Sequence, residues 1–367
     1  MRLQPVALCL LAACAHGGRR GAAEVHTAYY SDDDGLEVVT LAAAADVRLR
    51  RDDRVEVEVL VDRVSFQPVD TVSSASALTT GRAGGIEKQR IEALAGYSAA
   101  LGGEAHLAAQ ARGSVEPDYL SLSGGLAGSL ELFERNTRLT ASIGFGSDRI
   151  EPTAVAEGEE ASWPASHQRI VAGAGVTQLL GPRIDVSAGV GVSWQSGALQ
   201  SPYRRAMVRD GGGLIGTYDP EPERHPGERT RVTGFAGGGW YVGRGLALHG
   251  RLGGYVDTWN VVALVPEIEA AFELGSRAVA ALGYRFYTQG RASFYEERYE
   301  GTHATQSGDR RLGAVEEHVG SLELSVALTA DRALEVTGRY GLSRLAYVDL
   351  AREVTAHMAS LALSLAY

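Results

Sequence analysis

The chain has 367 residues, 45% of them hydrophobic, and a formal net charge of -10. No apolar run reaches the roughly 18 residues that a membrane-spanning helix needs, which excludes a helical membrane protein. The acidic balance and a single lysine, Lys88, leave no basic tract to follow a phosphate backbone, so nucleic acid is excluded as a partner.

The chain opens with Met1-Arg2, an apolar stretch from Val6 to Ala15 and the polar, basic His16 to Arg20. That order is a short secretory signal and not a membrane span, so residues 1-23 are expected to direct export and residues 24-367 to form the mature body. Leu11-Ala12-Ala13-Cys14 resembles a bacterial lipobox, which implies cleavage before Cys14 and lipidation of its thiol. The alternative is cleavage after the small-residue run Gly21-Ala22-Ala23, with Cys14 an incidental member of the apolar region. Cys9 and Cys14 are the only cysteines, so the mature body holds no internal disulfide and no cysteine-based metal site.

Beyond this leader the hydrophobic pattern has a period of two. Val55, Val57, Val59 and Val61 alternate with Glu56, Glu58 and Asp62. In 119-132, Leu120, Leu122, Leu126, Leu130 and Leu132 oppose Ser121, Ser123, Ser129 and Glu131, and in 183-195 Ile184, Val186, Val190 and Val192 oppose Asp185, Ser187 and Ser193. In 262-274, Val262, Leu264, Ile268 and Phe272 oppose Glu267, Glu269 and Glu273, and further on Leu334, Val336, Tyr340 and Leu342 oppose Glu335, Thr337 and Arg339. A helix would spread both sets around its circumference, whereas a strand separates them onto two faces. Many segments exceed ten residues, the length of a tilted membrane strand.

Brief turns at 51-53, 102-103, 134-136, 181-182, 243-244, 275-276 and 330-331 alternate with longer polar stretches at 67-85, 147-166, 196-228 and 289-313. Outer-membrane barrels have short periplasmic turns and long outer loops. The pattern therefore predicts an all-β, transmembrane antiparallel β-barrel. Strands are expected near 24-31, 36-50, 54-66, 87-101, 104-113, 118-133, 137-147, 167-180, 183-195, 229-242, 245-258, 261-274, 277-288, 314-328, 332-347 and 355-367. The count is about sixteen, with fourteen as the alternative if the first strand and the pair flanking a short loop near 113-118 are misread.

The last strand carries the sharpest local signal. Leu361, Leu363, Leu365 and the terminal Tyr367 alternate with Ala362, Ser364 and Ala366, as in the closing strand recognised by the barrel-assembly machinery during biogenesis. Outer-membrane lipid is the partner expected for this apolar face.

Four short stretches, Tyr29-Tyr30-Ser31-Asp32-Asp33-Asp34-Gly35, Asp70-Thr71-Val72-Ser73-Ser74-Ala75-Ser76, Ser114-Val115-Glu116-Pro117-Asp118-Tyr119 and Asn136-Thr137-Arg138-Leu139-Thr140, resemble the outer-membrane proteins classed as domain of unknown function 3570. The resemblance is close in the first half and rests on general strand pattern in the second. It implies an outer-membrane barrel and supplies no activity.

The opposite strand faces carry Glu56, Glu58, Asp62, Asp185, Glu267, Glu269, Glu273, Glu323 and Glu335 with Arg48, Arg112, Arg251, Arg285 and Arg339. These fourteen residues are expected to line the lumen, where the excess of carboxylates implies a weak preference for cations. Asp32-Asp33-Asp34 lacks the ligand spacing of a calcium loop and reads as a solvated acidic turn. The nine histidines show no paired spacing, and neither Gly-x-Ser-x-Gly nor His-Glu-x-x-His occurs, so no catalytic residue, metal ligand or cofactor is assigned and no enzyme is expected. Trp194, Tyr241, Trp259, Tyr284 and Tyr347 are expected in an interfacial aromatic belt. Two functions fit: a passive pore for small solutes with the 196-228 loop at its mouth, or a non-conducting surface barrel whose long loops bind a partner.

Overall fold

In a computed structural model, residues 21-50, 53-66, 86-152, 163-209 and 218-367 are described. Residues 1-20 of the expected leader, Cys14 among them, and the stretch Asp70 to Ser76 lie outside them. The strands are β1 (Gly21–Asp32), β2 (Leu36–Arg50), β3 (Asp53–Phe66), β4 (Ile86–Ala100), β5 (Ala105–Glu116), β6 (Tyr119–Leu132), β7 (Thr137–Ile150), β8 (Ala165–Gly181), β9 (Ile184–Gly197), β10 (Arg205–Arg209), β11 (Asp219–Pro222), β12 (Glu228–Gly243), β13 (Leu246–Asp257), β14 (Val262–Leu274), β15 (Ala278–Gln289), β16 (Tyr299–Glu300), β17 (Val315–Ala327), β18 (Leu334–Tyr347) and β19 (Arg352–Ala366).

Sixteen of these close one antiparallel barrel in which each strand pairs with its neighbours in sequence, and β1 pairs with β19. The closure is sealed at its end, where Gly21 and Tyr367 each donate a backbone N–H to the other's carbonyl at 2.9 Å. Closure leaves the wall without an open strand edge, which a lipid environment demands. The sequence-predicted strands are all present. Several extend further than their apolar pattern, β7 to Ile150 and β5 to Glu116, because backbone pairing continues past the last residue that touches lipid.

The strands alternate as their sequences do. Leu122, Leu126, Ile143, Val190, Leu264, Ile268, Leu322 and Leu361 belong to one, exposed face. A monomeric soluble protein does not leave so much contiguous apolar surface uncovered. This is the lipid face of an outer-membrane barrel, and the residues between them form a second, polar face.

The remaining strands make a small sheet outside the barrel, ordered β11-β10-β16, with β10 antiparallel to β11 and parallel to β16. It belongs to the long connections β9–β12 and β15–β17, which fold together into a cap on the side expected to face outward. The hydrophobic core of the cap is Trp259, Val261, Ala292, Tyr295 and Leu312, with Leu199, Tyr255 and Phe294 packed against it. Trp259 is therefore buried in the cap and not placed in an interfacial belt: the β13–β14 hairpin tip carries it up against the folded loops. Tyr347 shares the polar face with Val315, its register partner, and is also outside a lipid-facing belt. Tyr284 remains on the exposed face, its hydroxyl 2.7 Å from His318 Nδ1.

Candidate functional site

The polar face is organised by ion pairs between neighbouring strands. On β14, β15 and β17, Arg285 lies 3.3 Å from Glu267 and 2.9 Å from Glu317, and Ser343 of β18 donates to the other Glu317 oxygen at 2.8 Å. Arg339 Nε reaches Glu323 at 2.7 Å across β17–β18. Arg112 pairs with Glu92 at 2.9 Å, and Asp62 pairs with Arg90 while accepting from Thr40 at 2.7 Å. Glu335 sits 3.6 Å from Arg332 beside a short turn. Arg251 instead stacks on Phe235, 4.2 Å from the ring centroid. Glu56, Glu58, Asp185, Glu269, Glu273 and Arg48 make no ion pair among the described residues.

Asp32, Asp33 and Asp34 are turned toward protein donors. Asp32 accepts from Leu36 N and Tyr30 Oη at 2.9 Å, Asp33 from Thr355 N at 3.0 Å, and Asp34 pairs with Arg352. Asp32 closes the β1–β2 hairpin, and the Asp33 and Asp34 carboxylates brace it against β19. Among the described residues no group of three or more histidine, cysteine or acidic side chains could hold a metal ion.

Exposure varies along the polar face. Toward the capped end Lys88, Ser114, Asp148, Gln195, Arg229, Glu317 and Ser343 are buried. Further along, Gln110, Thr140, Ser142 and Thr233 are exposed although they lie on the same face. The folded loops thus cover the outer rows of the wall and leave the middle rows in contact with solvent.

The cap is held by buried polar contacts. Glu223 accepts from Ser201 N at 3.1 Å, Ser307 Oγ at 2.7 Å and Gly308 N at 3.0 Å. At Gly308 a Cβ would come within 2.0 Å of the Arg205 carbonyl, so only glycine lets this segment lie against β10. Asp309 joins the two long connections, contacting Arg204 from one and Arg311 from the other. Burial alone would raise its carboxyl, but the two guanidiniums hold it well below the usual carboxylate range. His225 lies edge-on to Trp259 with Nδ1 3.1 Å from Leu199 O and Nε2 3.0 Å from Ser307 Oγ.

Its far edge is latched to the opposite part of the wall. Tyr203, on the segment leaving β9, donates its hydroxyl to Asp118 in the β5–β6 turn. The same Asp118 oxygen binds Lys88 Nζ of β4 at 2.6 Å. Four strands separate β4 from β9 around the ring, so this contact ties the segment leaving β9 to a distant part of the rim.

Sequence reasoning did not single out Arg90, Glu92, Glu317, Arg169, Arg229 and Arg231 on the wall, nor Asp118 and Tyr203 at the latch. Parity alone could have found the arginines, since Arg169 precedes the exposed Ile170 and Arg231 precedes Val232.

The family model described as a protein of unknown function, DUF3570, matches residues 68–365. The chain belongs to this family. The match includes Asp70 to Ser76, whereas Tyr29 to Gly35 precedes it, and it covers the second half, where sequence motifs are scarce. Comparison with curated protein sequences finds no match. Among solved structures, one described as a bacterial polysaccharide outer membrane secretin is similar over 96% of this chain and 100% of its own, at 10% identity and a TM-score of 0.54. A mutant of the TodX monoaromatic hydrocarbon channel is similar over 96% of this chain and 91% of its own, at 9% identity and a TM-score of 0.49. A mutant ferric enterobactin receptor, PfeA, from Pseudomonas aeruginosa aligns over 90% of this chain and 54% of its own, at 12% identity and a TM-score of 0.47, so the chain spans about half that receptor. The DUF3570 chain shares with the first of these the fold of an outer-membrane barrel.

Proposed function

We propose that the protein is a pore for small solutes whose lumen is lined by the polar face and whose outer mouth is gated by the cap. The observation that carries this reading is the exposure of Gln110, Thr140, Ser142 and Thr233 in the middle of the wall, beneath rows that the cap buries. Sixteen-stranded barrels are wide enough to leave an aqueous channel unless something fills them. The fourteen charged residues named from sequence are part of that lining, and Leu361, Leu363, Leu365 and Tyr367 form the closing strand that outer-membrane lipid contacts and the assembly machinery reads.

The latch gives the cap a fixed side and a free side. Its hydrophobic core anchors it over β13, β14 and β15, while Tyr203 reaches across to Lys88 and Asp118. Opening requires the polar latch to part. Single-channel recording of the refolded full chain in planar bilayers tests the reading: discrete conductance steps that become more frequent in Tyr203→Phe support it, and a barrel that stays silent in both forms is a surface protein whose loops serve a partner.

A further inference from the structure

The cations on the two sides of the wall are treated differently, Arg48 of β2 and Arg229 of β12, which pairs with Asp257, being the exceptions. On the strands from β14 around to β5, Arg285, Arg339, Lys88, Arg90 and Arg112 each face a carboxylate within ion-pair distance. On the strands from β8 to β13 the polar face includes Gly173, Gly175, Ser187, Gly189, Gly191 and Ser193, side chains too short to reach a guanidinium. Three arginines stand out of this low surface without an ion pair among the described residues: Arg169, Arg231 and Arg251.

Each is held by something other than a carboxylate. Arg169 lies against Gly146, where a Cβ would come within 3.1 Å of its Nη2. Arg231 hydrogen bonds to Tyr255, and its Nε is buried with no partner. Arg251 is spread on the ring of Phe235, itself laid flat where Gly189 has no side chain: a Cβ there would meet the ring at 2.5 Å. The carboxylates in register with Arg231 and Arg251 are already engaged, Asp257 by Arg229 and Glu267 by Arg285. Partly desolvated guanidiniums without a counter-charge are costly, and an anionic ligand relieves that cost with charge-assisted, bidentate hydrogen bonds.

We propose that Arg169, Arg231 and Arg251 form an anion-binding track on the glycine- and serine-rich side of the lumen, for small solutes that carry a carboxylate or phosphate group. This rests on the reading of the polar face as the lining of a pore. Arg169 and Arg231 make the upper station beneath the cap, one register row apart across β9. Arg251, opposite Gly237, makes a second station about 20 Å further along β12, at roughly 3.3 Å per strand residue. Between them on the same face lie Thr233, Phe235, Gly253 and Tyr255, with the Phe235 ring lying beside Arg251.

Calorimetric titration of the detergent-solubilised full chain with inorganic phosphate, and separately with citrate, tests the track without requiring conduction. Saturable binding of at least one anion is expected, weakened at least about tenfold in the triple variant R169Q, R231Q, R251Q, as the loss of charge-assisted bonds predicts. Heat-modifiable migration of the variant checks that the barrel still folds; should it not, R251Q alone, which leaves the upper station intact, is expected to weaken binding to a smaller degree. The absence of saturable binding of either anion to the wild-type chain, or equal binding by a folded variant, overturns the track. Binding in a barrel that never conducts overturns the pore reading and leaves the anion site standing.

Discussion

Tyr203 packs its ring under the ammonium of Lys88, 4.8 Å from nitrogen to ring centroid, and gives its hydroxyl to the carboxylate that Lys88 also holds. One side chain from the cap thereby completes a buried charge pair on the far wall. Removing the hydroxyl in Tyr203→Phe deletes a hydrogen bond to a charged group, worth about 1.5–3 kcal/mol. We expect the cap to open roughly 10- to 100-fold more often, read as open probability in single-channel records. Unchanged gating would mean that Tyr203 does not restrain the cap.

Acid should loosen the cap. Burial lowers the His225 imidazole below its ordinary value and outweighs the nearby Glu223, which acts in the other direction. A histidine held neutral in the closed state takes up a proton more readily once released, so closure is favoured above about pH 6.5 and weakens as pH falls below it. Conductance recorded between pH 7.5 and pH 5.5, both roughly one unit from that value, should rise on the acid side, and His225→Gln should flatten the response. A wild-type response of the opposite sign would assign the proton to the closed form.

Closing the barrel depends on the last strand. Leu363 and Leu365 are exposed on the lipid face, and Tyr367 exchanges two backbone hydrogen bonds with Gly21. Replacing both leucines by Asp places charge against lipid, and deleting Tyr367 removes the seal. Both variants should lose the heat-modifiable, folded form seen on electrophoresis. Normal yields of folded protein from either would detach the closing role from these residues.

Processing of the leader bears on the same seam. β1 begins at Gly21, and Ala22 and Ala23 pair with Ala366 and Leu365. Cleavage after Ala23 would discard the first three residues of β1, which pair with the closing strand, whereas cleavage before Cys14 keeps them. Intact-mass measurement of protein purified from membranes should show a lipid-modified Cys14 as the first residue. A terminus at Glu24 would refute this and require the β1–β19 seam to be shorter.

The barrel was legible because its wall obeys one local rule. Each strand alternates apolar and polar residues, so Leu122 and Ser123, or Ile268 and Glu267, announce their faces without knowledge of any neighbour. The cap follows no such rule. Its strands have five, four and two residues, too short for a period to emerge, and its core joins Trp259, Ala292 and Leu312 from separate connections. Trp259 resembles a belt residue in sequence for that reason: nothing in its own segment reveals the loops that cover it. The charged wall was half legible. Parity places Arg285 and Glu267 on one face, but that Arg169 and Arg251 lack carboxylate partners depends on strand register, which is set across the sheet.

The most direct test of a water-filled lumen is cysteine accessibility, since Cys9 and Cys14 are the chain's only cysteines and both lie in the leader. Single cysteines at Gln110, Ser142 and Thr233 should react with a charged, membrane-impermeant thiol reagent when the protein is embedded in vesicles, and cysteines at Leu126, Ile143 and Val232 should not. Labelling of the second set with protection of the first would place lipid on the polar face and contradict the account.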